Sequence, residues 1–290
     1  MITLFTDTDT DITPELAKEY GYKLISMPYT LDGVQVYPYV DFETFDDKAY
    51  YDRLRKGLPL PTTSALSPVE YINYFEPEFA KGNDILYVHF SAAMSGTFNS
   101  MRLALEELKE KYPERKVYTI DTKGITIVSL NIVLAVGELF KAGKSVEEIL
   151  TWAETEVDKH AVYFFADDLK FFARSGRVSG FSAFFGNMIG IKPIIHMNSE
   201  GKMVTVGKSR GTQKSIKTLI DYVKTIGEDV ANHRIVVGHA DSMGLVEEII
   251  KQLKAEFGEN LDIMIAAVNP TTGGHCGPNT VGISFYAKHR

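Results

Sequence analysis

The run DILYVHFSAAMSGTFNSMRLALEELKEKY, residues 84–112, carries the reading that decides the fold. Its first part, Asp84–Phe90, has the length and apolar, β-favouring content of a buried strand. Its last part offers Leu103, Leu105 and Leu108 as the apolar face of a helix. Between them stand Ser91, Ser95, Gly96, Thr97 and Ser100, more hydroxyls than a bare turn needs. A strand, a polar junction and a helix make the repeating unit of α/β proteins.

The same unit recurs on both sides. Ile2–Phe5 reads as a strand leading to a helix that starts at Thr13-Pro14, and Ser67-Pro68 opens another helix with a cap and a proline. Lys116–Lys123 contains a further strand, and two helical stretches follow before His160. Beyond that point the texture changes. AVYFFA is a strand, DDLKFFARSG a short helix ending at Gly176, and Asn198–Gly201 a hairpin turn between alternating runs. RIVVGHAD and the helix after it form one more unit. The expected fold is α/β in two domains. Residues 1–158 would form a parallel doubly wound domain, and 159–290 an α/β domain with a mixed sheet.

Composition narrows the function. The 290 residues carry a formal charge of −7, which argues against a phosphate-backbone reader and so against a nucleic-acid partner. A lone Cys276 excludes an internal disulfide framework and suits a reducing cytoplasm. The N-terminus shows no signal-like segment, and no apolar run is long enough to span a membrane. No metal or organic cofactor is expected, since no ligand spacing for one is visible.

Four junctions concentrate polar groups. PTTSALSP is read as a proline-bounded loop in which Ser67 caps a helix, leaving Thr62, Thr63 and Ser64 as surplus hydroxyls. At the Ser91–Ser100 junction a helix N-terminus with Ser95, Gly96 and Thr97 could bind an anion, or Ser95 could merely cap its helix. ARSGRVSGFSAFFGNMIGIKP, with GKSRGT downstream, sets basic groups beside many aromatic ones; most such residues are plain core, yet the mixture also describes an amphiphile pocket. NPTTGGHCGPNTVGIS is read as a shaped glycine-rich loop, neither helix nor strand, presenting His275. TDTDTD near the N-terminus reads as a solvated loop and helix cap, because it lacks the later glycine and glutamate of a calcium loop.

Taken in order, TDTDTDI, TTSALSP, SAAMSGTF, DDLKFFARSGRVSG, IKPII with GKSRGTQKS, and GGHCGPNTVGI resemble the DegV family of bacterial fatty-acid-binding proteins over essentially the whole chain. Members often carry a second serine where Ala92 stands. The resemblance implies a long-chain fatty acid such as palmitate buried between two α/β domains, with its carboxylate on Thr63 and Ser95. Thr62, Ser64, Gly96, Thr97, Arg210 and His275 would lie near the head group. Phe164, Phe171, Phe181, Phe184, Phe185, Met188, Ile189 and Ile194 are candidates for the acyl-chain lining. The resemblance further implies a carrier that does not itself catalyse and presents the acid to a separate fatty-acid kinase protein for acyl-phosphate formation.

Burying about sixteen carbons gains on the order of 12 kcal/mol, while an unpaired buried carboxylate is costly, so clustered hydroxyls at one point make physical sense. Two other classes use the same loops. A serine hydrolase would combine Ser95, His275 and an acid such as Asp7, but AMSGT lacks the G-x-S-x-G elbow. A phosphoryl-transfer enzyme would need a phosphate loop of the G-x-x-x-x-G-K-[ST] kind, which the sequence does not contain.

Overall fold

The computed structural model describes residues 1–179 and 190–290. Four strands make a parallel sheet in the order Tyr22–Ile25, Ile2–Asp7, Asp84–His89, Val117–Asp121. Parallel neighbours need crossovers, and the helices Pro14–Tyr20, Pro68–Ala80 and Thr97–Lys111 provide them. A strand covered on both faces has no polar side, and Ile85, Leu86, Tyr87 and Val88 are all fully buried. Local chemistry starts the helices: Thr13 accepts from the Leu16 N–H, and Ser67 and Glu70 form a reciprocal capping box. On Thr97–Lys111 the buried positions are Thr97, Met101, Ala104 and Leu108, at helical spacing. Leu103, expected on that face, is 42% exposed; two positions from Leu105 is the other side of a helix.

A seven-stranded mixed sheet runs Ile263–Ala267, Ile235–His239, Val281–Tyr286, His160–Phe165, Ile191–Met197, Met203–Arg210, Val178–Ser179. The strand parity of two divides its side chains. Phe165 and Ile194 sit opposite one another and join the aliphatic core with Ile216 and Leu219 from the helix Thr212–Ile226. Val162, Phe164 and Ile195 turn the other way, towards the core shared with the parallel sheet. The helix Ile127–Lys141 is buried on nearly every side through its first three turns and packs on strands of the mixed sheet. Among the described residues, no helix is long and apolar enough to cross a membrane.

A third, small antiparallel sheet has the order Val34–Val36, Tyr29–Leu31, Thr62–Thr63. The segment read from sequence as a loop thus contains a two-residue strand. Pairing with Tyr29 and Thr30 fixes where Thr63 stands.

Candidate functional site

In open α/β sheets ligands gather at the carboxyl ends of the strands. Here Ile2–Asp7 and Asp84–His89 end side by side. The first strand runs into a short 3₁₀ turn, Thr8–Thr10, and its three carboxyls are not solvated as the alternating sequence suggested: Asp7, Asp9 and Asp11 are 0%, 7% and 5% exposed. Donors make this tolerable for two of them. Asp7 Oδ2 accepts from Tyr87 Oη at 2.9 Å and the Phe90 N–H at 3.1 Å, and Oδ1 from the Asp9 N–H at 3.1 Å. Asp11 Oδ1 accepts from the Asn269 N–H at 2.9 Å and from Nδ2 at 2.7 Å. Burial, the largest influence, pushes Asp7 and Asp11 up to about 7. Asp9 is pushed well above its ordinary value, first by burial and then by Asp7 and Asp11.

The hydroxyls of the second strand's junction separate into different roles. Ser91 is buried, donates to the Gly201 carbonyl at 2.7 Å and receives the Ala93 N–H, so it ties the junction to the hairpin turn of the mixed sheet. Thr97 Oγ1 accepts from the Leu66 N–H at 3.2 Å and pairs with Tyr71 Oη at 3.0 Å. Ser95 is the one left facing a cavity with a hydroxyl hydrogen to give; its oxygen accepts from the Thr97 N–H at 3.2 Å. It stands one residue before the N-cap, Gly96, which has no side-chain cap of its own. Ala92 is exposed and lines no part of this cavity, so the missing second serine removes no donor from it.

Thr63 Oγ1 lies 2.9 Å from His275 Nε2. The glycine-rich segment bearing that histidine is a helix, Pro270–Cys276, where the sequence suggested a loop. Asn269 caps it through the Thr272 N–H and Pro270 takes the first position, which together offset two helix-weakening glycines. Those glycines are there for contact. A Cβ on Gly273 would stand 2.3 Å from Tyr51 Oη, and one on Gly274 2.5 Å from Pro61 Cγ. Close packing brings His275 to Thr63 and also dries it: burial, then Arg177 and Arg174, lower its pKa to about 4. The ring is therefore neutral at pH 7. Burial also pushes the neighbouring Cys276 thiol up to about 12, which leaves it protonated.

Two cavities with shared walls lie at this point. The polar limb, about 210 Å³, is lined by Asp9, Thr63, Ser64, Ser95, Gly96, Thr97, Arg177 and Thr272 among others. The apolar limb, about 50 Å³, is lined by Val162, Phe164, Phe172, Met197, Val268 and Val281 with their neighbours. Ile125, Met203, Thr272 and His275 line both. Next to Ile125, Thr126 holds φ 56°, an unusual conformation for a β-branched residue, while its N–H donates to the Asp9 carbonyl at 2.8 Å. On the outer side of the Thr63–His275 pair a third cavity, about 220 Å³, is lined by Thr62, Phe171, Arg174, Arg177 and Gly274.

The structure thus brings Thr63, Ser64, Ser95, Gly96, Thr97 and His275 to one chamber, with Thr62 just outside it. Arg210 is not among them: it is exposed at the end of its strand, opposite Ile191. Phe164 lines the apolar limb, but Phe171 lies in the outer cavity and packs against Gly277, and Ile194 faces the opposite core. Phe181, Phe184, Phe185, Met188 and Ile189 lie outside the described residues. Sequence reading passed over Asp9, Ile125, Thr272 and Met203 as lining residues. For Asp9 a signal existed, since it follows the carboxyl end of the first parallel strand. The hydrolase triad is not assembled: His275 pairs with Thr63, and Asp7 is held by Tyr87 and Phe90.

A family model described as "Uncharacterised protein, DegV family" matches residues 1–288. A DegV domain-containing protein of Clostridium perfringens is 30% identical over 282 residues, covering 97% of this chain and 96% of its own. A solved DegV family protein from Thermus thermophilus, described by its fatty-acid binding, superposes with a TM-score of 0.86 at 26% identity over 99% of each chain. DegV from Bacillus subtilis, described as a fatty acid binding protein, gives a TM-score of 0.80 at 25% identity, again over 99% of each chain.

Proposed function

The chain belongs to the DegV family, and from that membership we propose that it binds a long-chain fatty acid, carboxylate in the polar limb and acyl chain entering the apolar limb. The side chains of that limb must part to admit it, because about 50 Å³ is too little for a long chain. One observation carries the reading: a hydroxyl-lined chamber and an apolar one share Ile125, Met203, Thr272 and His275, as an amphiphile requires. Thr63 and Ser95 are the carboxylate ligands. With its proton on Nε2, neutral His275 donates to Thr63 Oγ1 and leaves the threonine hydrogen free for the ligand; the clamp needs that tautomer. Solved relatives described as fatty-acid-binding support the ligand class.

The lipid lies between the halves formed by residues 1–158 and 159–290. Acting as a cytoplasmic carrier and not as a catalyst, the chain presents the carboxylate to a separate kinase for acyl-phosphate formation. Arg174 and Arg177 support this step, because they line the outer cavity beyond Thr63 and His275, where an incoming phosphoryl group would meet positive charge. Native mass spectrometry of the purified protein, followed by extraction and lipid identification, tests the binding. A fatty acid at near-unit stoichiometry is the expected result. A protein that arrives empty and takes up neither palmitate nor oleate would sink the reading.

A further inference from the structure

One group in the polar limb has no part in the clamp. Asp9 lines the chamber, is 7% exposed, and its Oδ1 is buried without a hydrogen-bond partner among the described residues. Asp7 has donors on both oxygens. Asp11 also leaves Oδ2 unpartnered, but its Oδ1 holds two bonds from Asn269 and it lines a different cavity, whereas Asp9 has only the Thr272 side chain beside it among the described residues. A buried carboxyl with so few donors keeps its proton, and the O–H then needs an acceptor. A fatty-acid carboxylate brought into the same chamber is that acceptor, and two carboxyl groups brought together share one proton where neither pays for a second charge.

Resting on the fatty-acid reading above, we propose that Asp9 is a third ligand of the head group, donating its carboxyl proton to the bound acid so that the two are held as an acid–carboxylate pair. No bond is made or broken beyond the shared proton. The groups that face Asp9 are Asp7 and Asp11 on its own segment, Tyr87 from the adjacent strand, Tyr71 from the helix Pro68–Ala80, and His275 and Arg177 across the chamber. Raising the pH would strip the shared proton and set two carboxylates against one another, so the ligand is held less firmly.

The test adds palmitate labelled with ¹³C at its carboxyl to the full, delipidated chain between pH 6 and 9. The carboxyl resonance and the Kd are read in the wild type and in Asp9→Asn. His275, lowered to about 4, does not titrate in this window, and Asp7 and Asp11, near 7, titrate in both proteins. In the wild type the bound resonance should lie between the acid and carboxylate positions at pH 6 and move to the latter as pH rises. Once the shared proton is lost the Kd should weaken by up to about tenfold per pH unit. In Asp9→Asn, whose amide still donates, the resonance should stay at the carboxylate position and the pH dependence should be shallower. A wild-type resonance fixed at the carboxylate position overturns the proposal even if the variant does not fold, and so do identical Kd profiles in the two proteins. Absence of palmitate binding by the wild type at every pH would overturn the carrier reading and this inference together.

Discussion

The polar and apolar limbs of the cavity are made from different kinds of chain. Strand faces supply much of the apolar limb, with Val162 and Phe164 on one strand, Gly282 opposite Phe164 on its neighbour, and Met197 at the end of a third. One ladder register places all of them at once. The polar limb is made from element ends, and each donor there has its own fastening. Thr63 is held by two ladder pairs with Tyr29 and Thr30, Ser95 by the turn before its helix, and His275 by a seven-residue helix packed on Tyr51 and Pro61. The division teaches that affinity and orientation can be assigned to separate parts. Apolar burial is non-directional and tolerates adjustment, whereas the carboxylate needs donors at fixed points.

The sharpest way to break this division is to remove the donors without touching the apolar limb. Hydrogen bonds to a charged group contribute about 1.5–3 kcal/mol each, so Thr63→Val combined with Ser95→Ala should cost about 3–6 kcal/mol of binding. That corresponds to palmitate bound roughly 10²- to 10⁴-fold more weakly by calorimetry. The empty protein should lose about 1–3 kcal/mol of stability as well, because His275 Nε2 and the Thr97 N–H lose their partners, so binding is compared at a temperature where both proteins are folded. A loss no larger than that from Val162→Ala in the apolar limb would dissolve the distinction.

A smaller effect tests whether the polar limb depends on its fastenings. In Gly274→Ala the new Cβ meets Pro61 Cγ at 2.5 Å, a ring atom with little freedom to give way. Overpacking of this kind costs about 1–3 kcal/mol, against which the alanine returns up to about 1 kcal/mol of helix propensity. Urea unfolding should show a net loss, and palmitate binding should weaken as His275 is pushed off Thr63. Unchanged stability and unchanged binding together would show that this contact does not hold the histidine in place.

The same contrast explains what the sequence could reveal. Strands such as Asp84–His89 are legible because burial on both faces leaves an uninterrupted apolar run. Ser67 and Thr13 are legible as caps because the signal is local. The Pro270–Cys276 helix was not, for its glycines lower the local preference and only contact with Tyr51 and Pro61 restores it. Nor was the Thr62–Thr63 strand, too short for any period. Composition does not give parity, so the sequence offers Ile194 as lining although it faces the other core; one residue along, Ile195 faces the core shared with the parallel sheet. The three aspartates carry no hydrophobic signal at all. Their burial follows from where the first strand ends, a fact of topology.

Those aspartates and the histidine opposite them also provide the most delicate test, because they pull stability in opposite directions. Asp11 rises from 3.8 to about 7 on folding, so its contribution is full below the lower value and is lost as pH rises through the upper one. His275 falls from 6.5 to about 4, so its contribution is full above the upper value and is lost as pH falls through the lower one. Between about pH 4 and 6.5 the folded chain holds a proton on Asp11 that the unfolded chain lacks, and lacks one on His275 that the unfolded chain holds. The two slopes cancel in the wild type. Asp11→Asn, which keeps an acceptor for Asn269, should tilt stability upward with pH relative to wild type, and His275→Gln should tilt it downward. Each tilt is at most about 1.4 kcal/mol per pH unit, read by urea unfolding at several pH values. Parallel profiles for all three proteins would mean that neither group is as dry as its surroundings imply. Opposite tilts would place a neutral imidazole and an uncharged carboxyl at the two ends of one short helix, His275 within it and Asp11 on its cap Asn269.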